Sequence, residues 1–481
     1  MTNLHSTPAG PDPEHDDCFE TEIQKIVTGG SGLGRYEKRA AFIPLTAPGD
    51  RIRARIKNRK KGYVEAELDQ LLSPGPQRQE APCPHFGQCG GCDLQHLTDL
   101  AQRDIKVDIV ADCFRRLGKL EVSDILTGLE SGYPTLGYRN KIRLFASPIG
   151  HYGLRRRGTH EVVPLTTCLQ MPESFNRDVL PWLRELPPMQ ELVVRLDGQD
   201  GWLLSLSGRP NRIRLLRQIL GDLPEGQPPR PGCRGVLFNK TPVWGRDYLV
   251  IKVAEKKFRV GAQSFFQTNL AVAEEIVGTL SNWLDGNHPV GAGADGLLID
   301  LYCGVGLFSL ALADRFAAVV AVDADPHAVH DARNNVQRDG TARGRVTIHQ
   351  DSVERYLQAC LRPATRQPAA PDAGDTDGQQ AGRSAPVSVE RWHQACCLVD
   401  PPRAGLGARS SAHLVKLAPR EIVYLSCDPA TLARDTALLV KAGYQLLKLR
   451  VFDLFPQTAH VETLAYLVRS AAPVSTASRE P

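Results

Sequence analysis

The 481-residue sequence has no run of 18 apolar residues, so no stretch has the length and hydropathy of a membrane-spanning helix. Its first eighteen residues hold Pro, Asp, Glu and His but no apolar core, and no secretory leader is expected there. Strong net charge is also missing: a formal +4 implies no polyanionic partner by itself. The Gly304-x-Gly306 turn lacks the third glycine of a dinucleotide fingerprint, because that position is Ser309. Asp400-Pro-Pro402 is followed by Arg403, not by the aromatic residue that enzymes methylating exocyclic amines use to stack a base.

What is present is a soluble, globular composition, 42% hydrophobic and 23% charged, on a chain long enough for two or three domains. The twelve cysteines include the closely spaced Cys89-Gly-Gly-Cys92. In a large chain of cytoplasmic character such spacing favours metal binding or catalysis over disulfides. Residues 1–16, polar and acidic, read as a disordered tail.

From 17 to 76 the pattern is short alternating strands with Gly turns, consistent with a small β-barrel of the oligonucleotide-binding type. In Asp50-Arg-Ile-Arg-Ala-Arg-Ile-Lys57, Ile52, Ala54 and Ile56 face one side of a strand, and Arg51, Arg53, Arg55 and Lys57 face the other. With Arg59, Lys60 and Lys61 they suggest a phosphate-tracking surface. A second basic strand, Tyr138–Leu144, carries Arg139, Lys141 and Arg143, followed by Arg155, Arg156 and Arg157.

A Pro/Gln linker over 76–82 leads into a central region over 77–258. Cys83, Cys89 and Cys92 follow as C-x5-C-x2-C, a metal or cluster site for which Cys168 is the best fourth ligand. Zinc and a [4Fe–4S] cluster suit four thiolates equally, and the spacing is not the C-x3-C-x2-C of radical enzymes. Residues 94–118 read as an amphipathic helix ended by Gly118, with Leu97, Leu100, Ile109, Val110, Cys113, Phe114 and Leu117 on its apolar face.

From about 259 strands and helices alternate. Leu297–Asp300 is a buried strand that opens through Tyr302-Cys-Gly304-Val-Gly306 into a helix, and Val319–Asp323 is a second strand ending in an acid suited to ribose hydroxyls. With the dinucleotide fingerprint incomplete, this favours S-adenosylmethionine over NAD. Asp351 ends a third strand, residues 361–390 are a low-complexity insertion expected to be disordered, and Asp400 ends a fourth. Ser426-Cys427 ends a fifth, after Ile422-Val-Tyr-Leu425. Cys427 reads either as a small hydrophobe capping a core strand or as a nucleophile. The last two strands suggest an antiparallel return that would bring Glu462 to the same sheet edge. A thiolate adding to carbon 6 of uracil makes carbon 5 nucleophilic, and a carboxylate can then remove the carbon-5 proton. Such a base must leave its stack.

Five motifs in order carry a resemblance: Phe266-Gln-Thr-Asn269, Asp300-Leu-Tyr-Cys-Gly-Val-Gly306, Asp400-Pro-Pro-Arg-Ala-Gly405, Ser426–Asp435 and Phe455-Pro-Gln-Thr-Ala-His-Val-Glu462. The chain resembles the TrmA/RumA family of RNA uracil-5 methyltransferases. The N-terminal strands and the cysteines resemble its RumA-like branch, which acts on 23S ribosomal RNA and carries a TRAM domain and a [4Fe–4S] cluster. The implied architecture is an α/β and β protein: a TRAM barrel of the oligonucleotide-binding type, a central α+β domain with the cluster, and a Rossmann-like S-adenosylmethionine-dependent methyltransferase domain over 259–481. The resemblance implies Cys427 as nucleophile and Glu462 as base. It places Gln267, Tyr302, Gly304, Gly306, Asp323, Asp351 and Asp400 around the cofactor and active site, with Cys83, Cys89, Cys92 and Cys168 on the cluster. The expected partner is 23S ribosomal RNA, with no membrane, and the expected state is a monomer.

Two positions depart from the family: Asp428 replaces an Asn, and Leu307 stands where Asn is frequent. Competing readings are an RNA cytosine-5 methyltransferase, a tRNA uracil-5 methyltransferase, and a non-catalytic RNA-binding or assembly factor. The first needs a Pro-Cys where this chain has Pro402-Arg403. The last leaves the catalytic set without a purpose.

Overall fold

The computed structural model describes residues 17–129, 132–148, 150–221, 227–285, 293–362 and 386–470. The expected tail and most of the expected 361–390 insertion lie outside them. The last residues of that insertion are described: Val389 and Glu390 open the short helix Val389–Trp392, and Trp392, just beyond the insertion, is fully buried.

The described chain divides into two compact units. One comprises 17–87, 92–105 and 457–459, and the other holds the remaining residues. An expected domain boundary at 258/259 falls inside the strand Lys256–Gly261, which pairs with Tyr248–Val253.

The smaller unit is built on a six-stranded sheet in the order Cys18–Glu22, Arg51–Arg59, Tyr63–Ser73, Arg39–Pro44, Ser31–Tyr36, Lys25–Ile26. The period-2 reading of the basic strand holds: Ile52, Ala54 and Ile56 are buried in the core with Ile23, Ile43 and Val64, and the cations point outward. Their charge is partly paired. Arg53 lies 3.6 Å from Glu20, Arg55 3.0 Å from Asp69, Lys57 2.8 Å from Glu67 and Arg59 2.8 Å from Asp17. Acids brought close by the fold thus pair four of the seven cations in this run, and Arg51, Lys60 and Lys61 have no ion pair among the described residues. Nor are residues 76–82 a plain linker. Arg78 donates to both oxygens of the fully buried Asp50, at 3.0 and 2.7 Å, which ties this segment to the sheet.

The amphipathic helix runs over Asp99–Cys113, continued by a wider turn over Phe114–Gly118. Leu100 and Leu117, expected on its apolar face, are 67% and 56% exposed. The left-handed residue that ends it is Lys119 (φ 56°) rather than Gly118.

The larger unit contains a seven-stranded sheet and an eight-stranded one. The second orders its strands Val346–Gln350, Phe316–Asp323, Gly293–Leu301, Cys396–Val399, Glu421–Ser426, Glu462–Arg469, Tyr444–Phe452, Leu126–Thr127. The first five are parallel, and the four beyond Val346–Gln350 are largely apolar, as strands covered on both faces are. Strand order reverses between Gly293–Leu301 and Cys396–Val399, which makes their carboxyl edge the place for a ligand. Glu462–Arg469 runs antiparallel to Glu421–Ser426.

Candidate active site

Each parallel strand delivers one candidate residue at the carboxyl edge. After Gly293–Leu301 the chain turns through Tyr302 (φ 66°), Gly304 (φ 55°) and Gly306 (φ 88°). Left-handed backbone is strained for a residue with a Cβ, so Tyr302 is held there by its surroundings. Its hydroxyl hydrogen-bonds Ser410. A Cβ built on Gly304 meets nothing within 4 Å, so this turn presents backbone to open space. The turn is fixed from the next strand, because Asp323 accepts from the Gly304 N–H at 2.8 Å and from the Asp325 N–H at 2.8 Å. Asp351, past the edge strand, accepts from Ser352 N–H at 2.7 Å and from Arg355 at 2.6 Å. Gln267 is buried, and its carbonyl accepts from Asn140 at 3.0 Å; its neighbour Phe266 shares a core cluster with Val305 and Phe308.

Cys427 directly follows the strand Glu421–Ser426, whose last pair with the returning strand is Ser426–Thr463. One step further the register sets Cys427 opposite Glu462, and opposed antiparallel residues share a face. This is the antiparallel return expected from sequence. Burial pushes the Cys427 thiol up to about 11; Glu462 and Asp400 push the same way, and Arg403 pulls down. Glu462 is only 3% exposed, and burial, then Asp400, hold its carboxyl well above the usual range, with Arg403 again opposing. Asp400 is pushed up by desolvation and by Asp300 and Asp323. Cys427 is partly open, whereas Cys303, Cys396 and Cys397 are buried core cysteines. Burial and the neighbouring acids therefore favour the neutral forms of the Cys427 thiol and the Glu462 carboxyl, and Arg403 favours the ionised form of each.

Three contributors were not singled out as site residues from sequence. Asp300 is fully buried; Ser309 Oγ donates to its Oδ2, and Oδ1 has no partner, so burial raises its carboxyl to about 7. An acid four residues before Gly304, with Ser309 in place of glycine, was the available signal. Arg403 Nη2 lies 3.1 Å from both ring nitrogens of His460, and neither residue could be placed before the fold was known.

The two departures have local explanations. Asp428 caps the helix Pro429–Lys441: its Oδ1 accepts from Ala430 and Thr431 N–H, each at 2.9 Å. An Asn carbonyl oxygen would do the same, so the cap survives the exchange. Leu307 is buried in the main core cluster, where it packs rather than presents a polar group.

Of the four candidate metal ligands, Cys83, Cys89 and Cys92 are half-buried and Cys168 is buried. Cys83 and Cys92 belong to the smaller unit, Cys89 and Cys168 to the larger. Cys168 is part of an apolar cluster against which Cys89 packs. Among the described residues, no group of three or more His, Cys, Asp or Glu is placed to hold a metal ion. No helix among them is long and apolar enough to cross a membrane.

A family profile described as tRNA (Uracil-5-)-methyltransferase matches residues 239–470. An uncharacterized RNA methyltransferase of Aquifex aeolicus is 30% identical over 467 residues, covering 94% of this chain and 99% of its own. A 23S rRNA (uracil(1939)-C(5))-methyltransferase of Aeromonas hydrophila is 30% identical over 455 residues, covering 91% and 93%. Among solved structures, the Pyrococcus abyssi tRNA (uracil-54, C5)-methyltransferase in complex with S-adenosyl-L-homocysteine superposes with a TM-score of 0.64 at 22% identity, covering 93% of this chain and 100% of that one. The last likeness is one of fold.

Proposed function

We propose, from the premise that this chain belongs to the RNA uracil-5 methyltransferase family and is an S-adenosylmethionine-dependent RNA methyltransferase, that it methylates carbon 5 of a uridine in 23S ribosomal RNA. The observation that carries the reading is the register that sets Cys427 opposite Glu462 at the edge where the Gly304 turn and Asp400 also end. The relative named for 23S rRNA supports ribosomal RNA over tRNA.

The open space over Gly304 and the carboxylates of Asp323 and Asp351 fit S-adenosylmethionine, with Gln267, Tyr302, Gly306 and Asp400 completing the surroundings. The bound cofactor supplies an electrophilic methyl group. The residues do the rest. Carbon 5 of uracil is a poor nucleophile until a thiolate adds to carbon 6. Cys427 gives its proton to solvent, Arg403 favouring the anion, and the thiolate pair forms the bond to carbon 6 while the 5,6 pair of the ring shifts into an enolate. After transfer, carbon 5 still carries its hydrogen, and Glu462, having released its own proton to solvent, removes it as a carboxylate. The electron pair of that C–H bond restores the ring double bond and expels the Cys427 sulfur.

The proposal includes a [4Fe–4S] cluster on Cys83, Cys89, Cys92 and Cys168. Four cysteine sulfurs are the donor chemistry such a cluster takes, and no catalytic step depends on it. Anaerobically purified protein is then brown, with about four irons per chain. Colourless, zinc-loaded protein contradicts this part.

The reaction itself is tested with protein, methyl-labelled S-adenosylmethionine and 23S ribosomal RNA, followed by nucleoside identification. Label appears as 5-methyluridine, and Cys427→Ala lowers its formation about 10⁴-fold or more. Label in 5-methylcytidine, label accepted only by tRNA, or no transfer contradicts the proposal.

A further inference from the structure

Four of the cations that stand out in the sequence, Arg53, Arg55, Lys57 and Arg59, are paired with acids in the smaller unit, but a set in the larger unit is not. The segment before and within the helix Arg212–Gly221 carries Arg209, Arg212, Arg214 and Arg217 without an acid between them. Ile213, Leu216 and Leu220 turn into the core of the seven-stranded sheet, so Arg214 and Arg217 face solvent. Nearby, Phe238 pairs with Thr241 across the two-residue turn Asn239-Lys240. Gly208 N–H donates to Asn239 Oδ1 and Asn239 Nδ2 donates to Gly208 O, each at 3.0 Å, which sets Arg209 beside Lys240. Arg209, Arg214, Arg217 and Lys240 are exposed, and none of the five cations has an ion-pair partner among the described residues.

Two features of this cluster oppose stability. Arg212 and Arg214 occupy the first turn of a helix, where the dipole disfavours positive charge. Lys240 sits at φ 72° in the second turn position, which glycine fills without strain. Cations held against local preference in two adjoining elements are expected where they serve binding.

We infer that Arg209, Arg212, Arg214, Arg217 and Lys240 form a surface that contacts the phosphodiester backbone of the RNA substrate. The inference rests on the RNA-methylating reading above and adds the place on the chain where backbone charge is met. Contacts of this kind carry no sequence preference and weaken as salt rises, because each releases counterions from the RNA.

The full-length protein is titrated into a labelled oligouridylate of about 30 nucleotides between about 50 and 400 mM KCl. Arg209→Gln, Arg214→Gln and Arg217→Gln combined should weaken binding about tenfold or more at 100 mM and lower the slope of log K against log salt by about two. Lys240→Gly should weaken binding about threefold while the thermal midpoint holds or rises, because glycine suits the turn. Affinity for S-adenosylhomocysteine should not change in either. The inference is overturned by an unchanged slope in the triple variant, by a wild type that does not bind oligouridylate at low salt, or by patch-dependent binding to phosphatidylglycerol vesicles that is tighter than to RNA. Loss of oligouridylate binding with the expected slope, in a protein that transfers no methyl group, would support this surface and count against uracil methylation instead.

Discussion

Asp50 and Asp300 are both fully buried aspartates, and their environments drive them in opposite directions. Burial alone would raise Asp50, but Arg78 and the N–H groups of Gly75 and Ala47 donate to its two oxygens and hold it below the usual range. Asp300 has Ser309 on one oxygen and nothing on the other, and negative neighbours besides, so burial wins and its carboxyl rises to about 7. A buried carboxylate with every lone pair occupied holds a fold together. One left half-satisfied beside other acids marks a site prepared for a ligand or a proton.

Removing each carboxylate should separate the two roles. Asp50→Ala leaves Arg78 without its partner in a half-closed environment and should cost about 3–5 kcal/mol, read from denaturant unfolding. A loss below about 1 kcal/mol would mean that the pair is dispensable. Asp300→Asn should have a smaller effect, visible in the pH dependence. A carboxyl raised on folding contributes stability below its unfolded value, near 4, and that contribution is lost as pH rises through about 7. The unfolding free energy of the wild type should therefore decline between these limits, and the Asn variant should decline less. Asp50 acts at the other end, because its lowered value makes stability fall as the medium becomes more acid than about 4. An Asn variant with the same slope as wild type would remove Asp300 from this account.

The same contrast explains what the sequence could disclose. Strand ends and glycine turns are local signals, so Cys427, Asp323, Asp400 and the Gly304 turn could be placed before any coordinates, and Glu462 followed from the short return between two strands. Cross-strand partners are not local. Glu20, Glu67 and Asp69 lie on neighbouring strands, so the charge of Arg53, Lys57 and Arg55 was overestimated. Arg78, which seemed part of a linker, is fixed by an aspartate 28 residues earlier. The contact between Arg403 and His460 spans 57 residues and depends on two loops at one edge. Periodicity also set Leu100 and Leu117 on a buried face, although solvent reaches both.

The central claim is that Cys427 bonds covalently to the base and Glu462 releases it. Its most direct test is the Glu462→Gln protein, incubated with S-adenosylmethionine and 23S ribosomal RNA, digested with nuclease and analysed by mass spectrometry. The account predicts a methylated uridine nucleotide attached at Cys427, because proton removal from carbon 5 stalls while the thioether remains. Complete release of methylated RNA, or an adduct on any residue other than Cys427, would contradict it.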